Sequence, residues 1–192
     1  KLSSKDSNFN NAMNMLRDEG YCIIDLNLDD LIDIANEDVA KIVEEKSYKT
    51  NSAAYHYNDS PRIVECWKSS ESIKKIATSK NIINFLREAY QSEPIPFSTI
   101  NFLKGTEQPL HSDEFHFGSI PHRFLSGCWI ALEDINADSG PLSVAAKSHK
   151  LPIFSFEMLN INIPKSEKDF KTAYTIYEDW VREQIQKNDL KI

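Results

Sequence analysis

Residues 111–152 read HSDEFHFGSIPHRFLSGCWIALEDINADSGPLSVAAKSHKLP, and the reading of this stretch decides the fold. It opens on His111-Ser112-Asp113. Alternation along an extended segment puts that imidazole and that carboxylate on one face. They are two members of the two-His-one-carboxylate set that holds non-haem Fe(II) with positions left open. The pattern predicts strands at His111 to Phe117, at Phe124 to Leu132 and at Leu142 to Ala146, with a turn from Asn136 to Pro141 between the last two. As a bare tripeptide, H-x-D is a weak signal, and a polar surface pair explains it as well.

Working outward, a further strand is expected from Pro96 to Leu103, followed by a turn at Lys104-Gly105. Before Pro94 the pattern is mainly helical. Phe9, Ala12, Met13 and Leu16 recur at helical spacing and Gly20 stops them. Tyr21 to Ile24 reads as a short strand. Asp29 or Asp30 is placed to cap a helix with Leu31, Ile34, Ala35, Val39, Ile42 and Val43 inward. Residues 47–68 read as loop with one strand near Arg62 to Trp67. A helix follows from Glu71, restarts near Ser79 and ends by Gln91. After residue 152, Phe170, Ala173, Tyr174, Tyr177, Trp180, Val181 and Ile185 mark an amphipathic helix. Helices first and clustered strands after predict an α+β fold in a single domain over 1–192. Residues 1–93 form its helical part, 94–152 its barrel strands and 153–192 a helical insertion.

Composition narrows the function classes. The chain has 192 residues, of which 41% are hydrophobic and 27% charged, enough for one ordinary core. A net charge of -7 with no basic block argues against nucleic-acid and anionic-membrane partners. Cys22, Cys66 and Cys128 are odd in number and widely spaced, which fits neither a disulfide framework nor a structural zinc site. They are expected to be small core fillers in a reducing, cytoplasmic setting. No apolar run reaches the length of a membrane span. The first residue is Lys1, so the natural start is expected to differ.

Four pieces in order give the stretch a family likeness: His111-Ser112-Asp113, Trp129-Ile130-Ala131-Leu132-Glu133-Asp134, Gly140-Pro141-Leu142 and Lys147-Ser148-His149-Lys150. Across roughly residues 97–152 the chain resembles the phytanoyl-CoA dioxygenase family of Fe(II)- and 2-oxoglutarate-dependent oxygenases. The resemblance implies a double-stranded β-helix, a jelly-roll or cupin-like barrel, with iron inside. It implies His111 and Asp113 as iron ligands, and 2-oxoglutarate as the co-substrate that is decarboxylated with O2 while a substrate C–H bond is oxidised. Retention of Asp113 favours hydroxylation, because related halogenases carry a small residue there. Two departures stand out. Lys147 occupies a position where the family usually has Gly, which tolerates backbone angles that Lys resists. No His follows His149, and Arg182, the one later Arg, lies in the amphipathic helix. The family's distal His and its carboxylate-anchoring Arg are therefore not identified, and the chain is expected to be a truncated form lacking the last barrel strands.

Other residues keep two readings each. Thr99 and Asn101 share a strand face and are candidates for 2-oxoglutarate binding, although solvent-facing alternation explains them equally well. His116 is a pocket candidate or a substitute ligand, set against a structural role. His149 is expected to hold its turn or edge the pocket by hydrogen bonding, not to bind iron. Trp129 is a pocket candidate expected in the core. Arg62, Lys104 and Arg123 are either anion contacts or solvated charge. The leading functional expectation is a dioxygenase hydroxylating a small molecule or a carrier-bound acyl group, with this chain an inactive fragment. The alternative is a non-catalytic cupin-like module that binds a ligand or forms a homodimer through exposed barrel edges. A cupin-like isomerase or sugar-modifying protein is a third, weaker possibility.

Overall fold

The structure is a computed structural model that describes residues 7–45, 49–50, 62–105 and 107–192. Residues 1–6 and most of the first part of the loop expected over 47–68 lie outside the described residues. Among the described residues there are six α-helices: α1 (Ser7–Glu19), α2 (Asp29–Glu44), α3 (Glu71–Ala77), α4 (Lys80–Tyr90), α5 (Glu114–Phe117) and α6 (Glu167–Lys187). The described residues also hold three short strands, β1 (Lys49–Thr50), β2 (Arg62–Val64) and β3 (Ile100–Phe102), in one antiparallel sheet of order β1-β2-β3. The chain divides into two compact units. One takes Lys1–Met13, Ile23–Glu107 and Trp129–Pro141; the other takes Asn14–Cys22, Gln108–Cys128 and Leu142–Ile192.

The first unit is built on the period of α2. Ala35, Val39 and Ile42 fall on one helix face and bury against Ile63 of β2, Cys66, and Ile73 and Ile76 of α3. Ile63 pairs with Asn101 across the sheet and is completely buried. Ser70 caps α3, its hydroxyl accepting the Ile73 N–H at 3.1 Å. Ser70 and Ser72 are both buried, and each donates to Asp38 at 2.7 Å. Those two hydroxyls, Ser72 first, hold the Asp38 carboxyl below its usual range.

The second unit is built on aromatic contacts. Tyr177 of α6 is 1% exposed and stacks on Phe115 of α5, with ring centroids 4.0 Å apart and planes 11° apart. Phe154 meets Tyr177 and Trp180 edge-on. In the same unit the end of α1 meets the turn at Ser148–Lys150. The last carbonyls of a helix have no partner within it. Here Arg17 O accepts from His149 Nε2 at 3.0 Å, Asp18 O from Lys150 Nζ at 2.8 Å, and Glu19 O from the Lys147 N–H at 2.7 Å. Gly20, at φ +86°, leaves room for the His149 ring.

Several expectations need correction. The strand at His111 to Phe117 is not formed. The Ser112 and Asp113 carbonyls accept from Phe115 and His116 instead, giving the single turn α5, and Gly118 at φ +63° ends it. Local hydrogen bonds thus satisfy the backbone where a ladder was expected. Among the described residues no strand forms at 21–24, 124–132 or 142–146 either, and the strand from Pro96 shortens to β3. A strand needs a neighbour for its N–H and C=O groups, and a barrel needs closure. With one three-stranded sheet, the described residues do not display the expected double-stranded β-helix. Asp29 and Asp30 make no side-chain cap. They lie in the first turn of α2, where carboxylates favour the positive end of the helix. The helices from Glu71 and Lys80, with Ser79 before the second, and the helix carrying Phe170 to Ile185 are all present. No helix among the described residues is long and apolar enough to cross a membrane.

Candidate metal centre

His111 and Asp113 converge, though not by strand alternation. Pro109 precedes His111 by two residues, and its carbonyl accepts the Nδ1–H at 2.8 Å. That bond fixes the tautomer and turns Nε2 towards Asp113 Oδ1, 3.6 Å away. The imidazole is largely buried and the carboxylate half-exposed, so the pair opens to solvent on the acid's side. The neighbouring His111 ring holds the Asp113 carboxyl below its usual range, partly offset by burial. Gly127 lies against the acid. A Cβ there would stand 3.1 Å from Asp113 Oδ2, so the missing side chain makes room for the carboxylate.

A donor set of one neutral imidazole nitrogen and one carboxylate suits Fe(II). Ligands at about 2.0–2.2 Å from one ion, at right to tetrahedral angles, stand roughly 3–3.6 Å apart, and the observed separation lies at the upper edge of that range. The carbonyl-locked tautomer is the second-sphere arrangement that metal-binding histidines use. The two residues therefore fit a metal. Among the described residues no group of three His, Cys, Asp or Glu side chains is arranged to hold one.

Ser112, between the two ligands, is fastened to α6. Its N–H donates to Tyr177 Oη at 2.6 Å, and Tyr177 Oη donates back to the Ser112 carbonyl at 3.4 Å. Burial pushes the Tyr177 phenol up to about 12. The next residue after the pair, Glu114, is tied down as well. Its carboxylate accepts from Ser119 Oγ at 2.9 and 3.0 Å, from His122 Nδ1 at 2.9 Å and from the Arg123 N–H at 3.3 Å. Burial raises the Glu114 carboxyl, and the hydrogen bonds, His122 foremost, outweigh it to leave the group low. A cleft of about 230 Å³ is lined by Pro109 and Leu110 and by Glu178, Val181, Arg182 and Ile185 of α6.

The family model for phytanoyl-CoA dioxygenase matches residues 17–181. The chain belongs to the phytanoyl-CoA dioxygenase family. No curated protein and no solved structure matches it. The match takes in the end of α1, α2, the sheet, the His-x-Asp pair and most of α6.

The remaining sequence candidates are distributed as follows. His116 on α5 stands near the pair, its ring 5.6 Å from that of His111 and edge-on to it. His149 is placed against Gly20 and Arg17, holding its turn. Thr99 and Asn101 belong to the first unit. The Thr99 hydroxyl accepts the Trp67 N–H at 3.4 Å, and Asn101 pairs with Ile63. Trp129 also belongs to the first unit and is 48% exposed, which corrects its expected place in the core: its segment joins no ladder, so no sheet covers it. Cys66 is buried as expected, whereas Cys128 is exposed. Arg62 lies over the Phe102 ring at 5.8 Å, and Arg123 donates to the Leu151 carbonyl at 2.8 Å. Sequence reasoning missed Tyr177 and Gly127. Tyr177 registered as one more position on an amphipathic face, and nothing in that period distinguishes a hydroxyl that reaches a backbone. Gly127 carries no positive φ or turn signature to mark it.

Proposed function

We propose that this protein is an Fe(II)- and 2-oxoglutarate-dependent dioxygenase, with His111 and Asp113 as two of the iron ligands. The single observation that carries the reading is the His111 imidazole, locked by Pro109 with Nε2 turned on the Asp113 carboxylate. Family membership supports it. Iron, when bound, supplies Lewis acidity and activation of O2 towards a C–H bond. The balance is one 2-oxoglutarate, one O2 and one C–H substrate consumed, with succinate, CO2 and an alcohol formed. Pro109 orients the His111 ring, Gly127 gives the carboxylate its space, and Asp113, low in its proton affinity, presents an anion at neutral pH. The apolar lining from Leu110, Val181 and Ile185 suits a substrate with a hydrocarbon portion. A small molecule or a carrier-bound acyl group meets that requirement.

Thr99 and Asn101 remain proposed contacts of 2-oxoglutarate, and His116 and Trp129 proposed pocket residues. Among the described residues no third ligand is assigned, so a double-stranded β-helix, a distal His, an anchoring Arg and the incompleteness of the site are all parts of the proposal. A cytoplasmic setting is part of the same proposal, supported by the three free cysteines. The test is succinate formation by the natural protein with Fe(II), O2, ascorbate and 2-oxoglutarate. Turnover that is lost in His111→Ala and in Asp113→Ala supports the assignment. Absence of both iron binding and turnover overturns it in favour of the non-catalytic module.

A further inference from the structure

We infer that Tyr177 is a positioning residue for the His111–Asp113 pair, acting through the peptide backbone of Ser112. The inference rests on the metal-site reading above. Two ligands separated by a single residue share that residue's peptide planes, so any rotation at Ser112 moves imidazole and carboxylate relative to each other. In a sheet a neighbouring strand would hold those planes. Here the segment is not in a ladder, and one phenol meets both backbone groups of Ser112, accepting from its N–H at 2.6 Å and donating to its carbonyl at 3.4 Å. A tyrosine hydroxyl has one donor and acceptor capacity, the complement of a peptide edge.

The phenol is itself fixed. Tyr177 is buried, stacked on Phe115 two residues beyond Asp113, and meets Phe154 edge-on at 5.1 Å. α6 is capped at its start by Ser166, which accepts the Asp169 N–H. With its ionisation pushed up to about 12, Tyr177 keeps its proton, and so its donor role, at neutral pH. A helix outside the sheet thereby takes over the task of aligning two ligands, which the sequence pattern alone assigned to a strand.

The test uses the natural protein and Co(II) as the probe, followed by visible absorption and calorimetry. Tyr177→Phe keeps the ring stack and removes the hydroxyl; Tyr174→Phe removes a phenol one turn away on the same helix. The expected result is Co(II) affinity weakened about 10- to 100-fold in Tyr177→Phe, the range for groups that orient a metal ligand, and nearly unchanged in Tyr174→Phe. Amide exchange at Ser112 in the metal-free protein should quicken in Tyr177→Phe alone. Wild-type Co(II) binding that is lost in His111→Ala but equal in Tyr177→Phe overturns this inference and leaves the metal site standing. A wild type that binds no Co(II) overturns the site and the inference together. Should Tyr177→Phe not fold, a fluorinated tyrosine at 177 keeps the shape while weakening the hydroxyl as an acceptor. Weakened Co(II) binding then supports the inference and unchanged binding overturns it.

Discussion

Replacing Gly20 by Ala puts a methyl group where the structure has an imidazole. The added Cβ would lie 2.3 Å from His149 Nδ1, 2.8 Å from Cγ and 3.2 Å from Cβ, so contact runs to the root of the side chain and a rotation of the ring tip does not relieve it. The backbone at φ +86° adds its own cost of about 1–2 kcal/mol for any L side chain. Moving the ring also strains the bond from His149 Nε2 to Arg17 O, worth about 1 kcal/mol. The sum is a loss of roughly 2–4 kcal/mol, or a fall in Tm of roughly 4–16 °C for a chain of this size. Urea unfolding followed by circular dichroism measures it. The double variant Gly20→Ala/His149→Ala removes the collision but not the backbone term, so the two changes should couple by about 1–2 kcal/mol. A loss below about 0.5 kcal/mol in the single variant, or strict additivity in the double, would refute the packing of the turn against α1.

Three further outcomes follow from other residues. Lys147, at φ +66°, sits in the left-handed region, and Lys147→Gly should stabilise the protein by about 0.5–1 kcal/mol in thermal unfolding, the relief of the backbone exceeding the added freedom of Gly. Tyr177 has a folded-state pKa raised to about 12, so its contribution is complete below the unfolded value near 10 and is lost as pH rises through about 12. Full ionisation should remove about 2–3 kcal/mol, and urea midpoints between about pH 9 and about pH 12 should fall more steeply in wild type than in Tyr177→Phe. Gly127→Ala places a Cβ 3.1 Å from Asp113 Oδ2; it should change stability by less than about 1 kcal/mol yet weaken Co(II) binding several-fold by calorimetry.

The helices were legible because their signals are local. The 3.6-residue recurrence of Ala35, Val39 and Ile42, and the Ser70 cap before α3, each carry the physics of the element within a few residues. The His-x-Asp pair was legible as chemistry, and its convergence is present at 3.6 Å. The conformation that produces it was not, because alternating aromatics in residues 115–117 fit a strand as readily as a single turn ended by Gly118. Strands depend on distant neighbours, and a run such as Phe124 to Leu132 states a preference without naming its partner. Lys147 shows the opposite case. Lys in place of the family's Gly pointed to an altered turn, and the backbone there nonetheless takes the left-handed conformation that Gly favours.

The fastening of α1 has a consequence for how the chain is made. His149 and Lys150 reach carbonyls 132 positions earlier in the sequence. During synthesis α1 leaves the ribosome with its final turn unfinished, and that end stays solvated until residues 147–150 have emerged. Closing so long a loop adds little to the free-energy cost but makes the step late, since the ordering of intervening chain must come first. Amide protection at the end of α1 is therefore a clock for completion of folding, and a chain halted before residue 147 would carry a frayed first helix however well its other helices had formed.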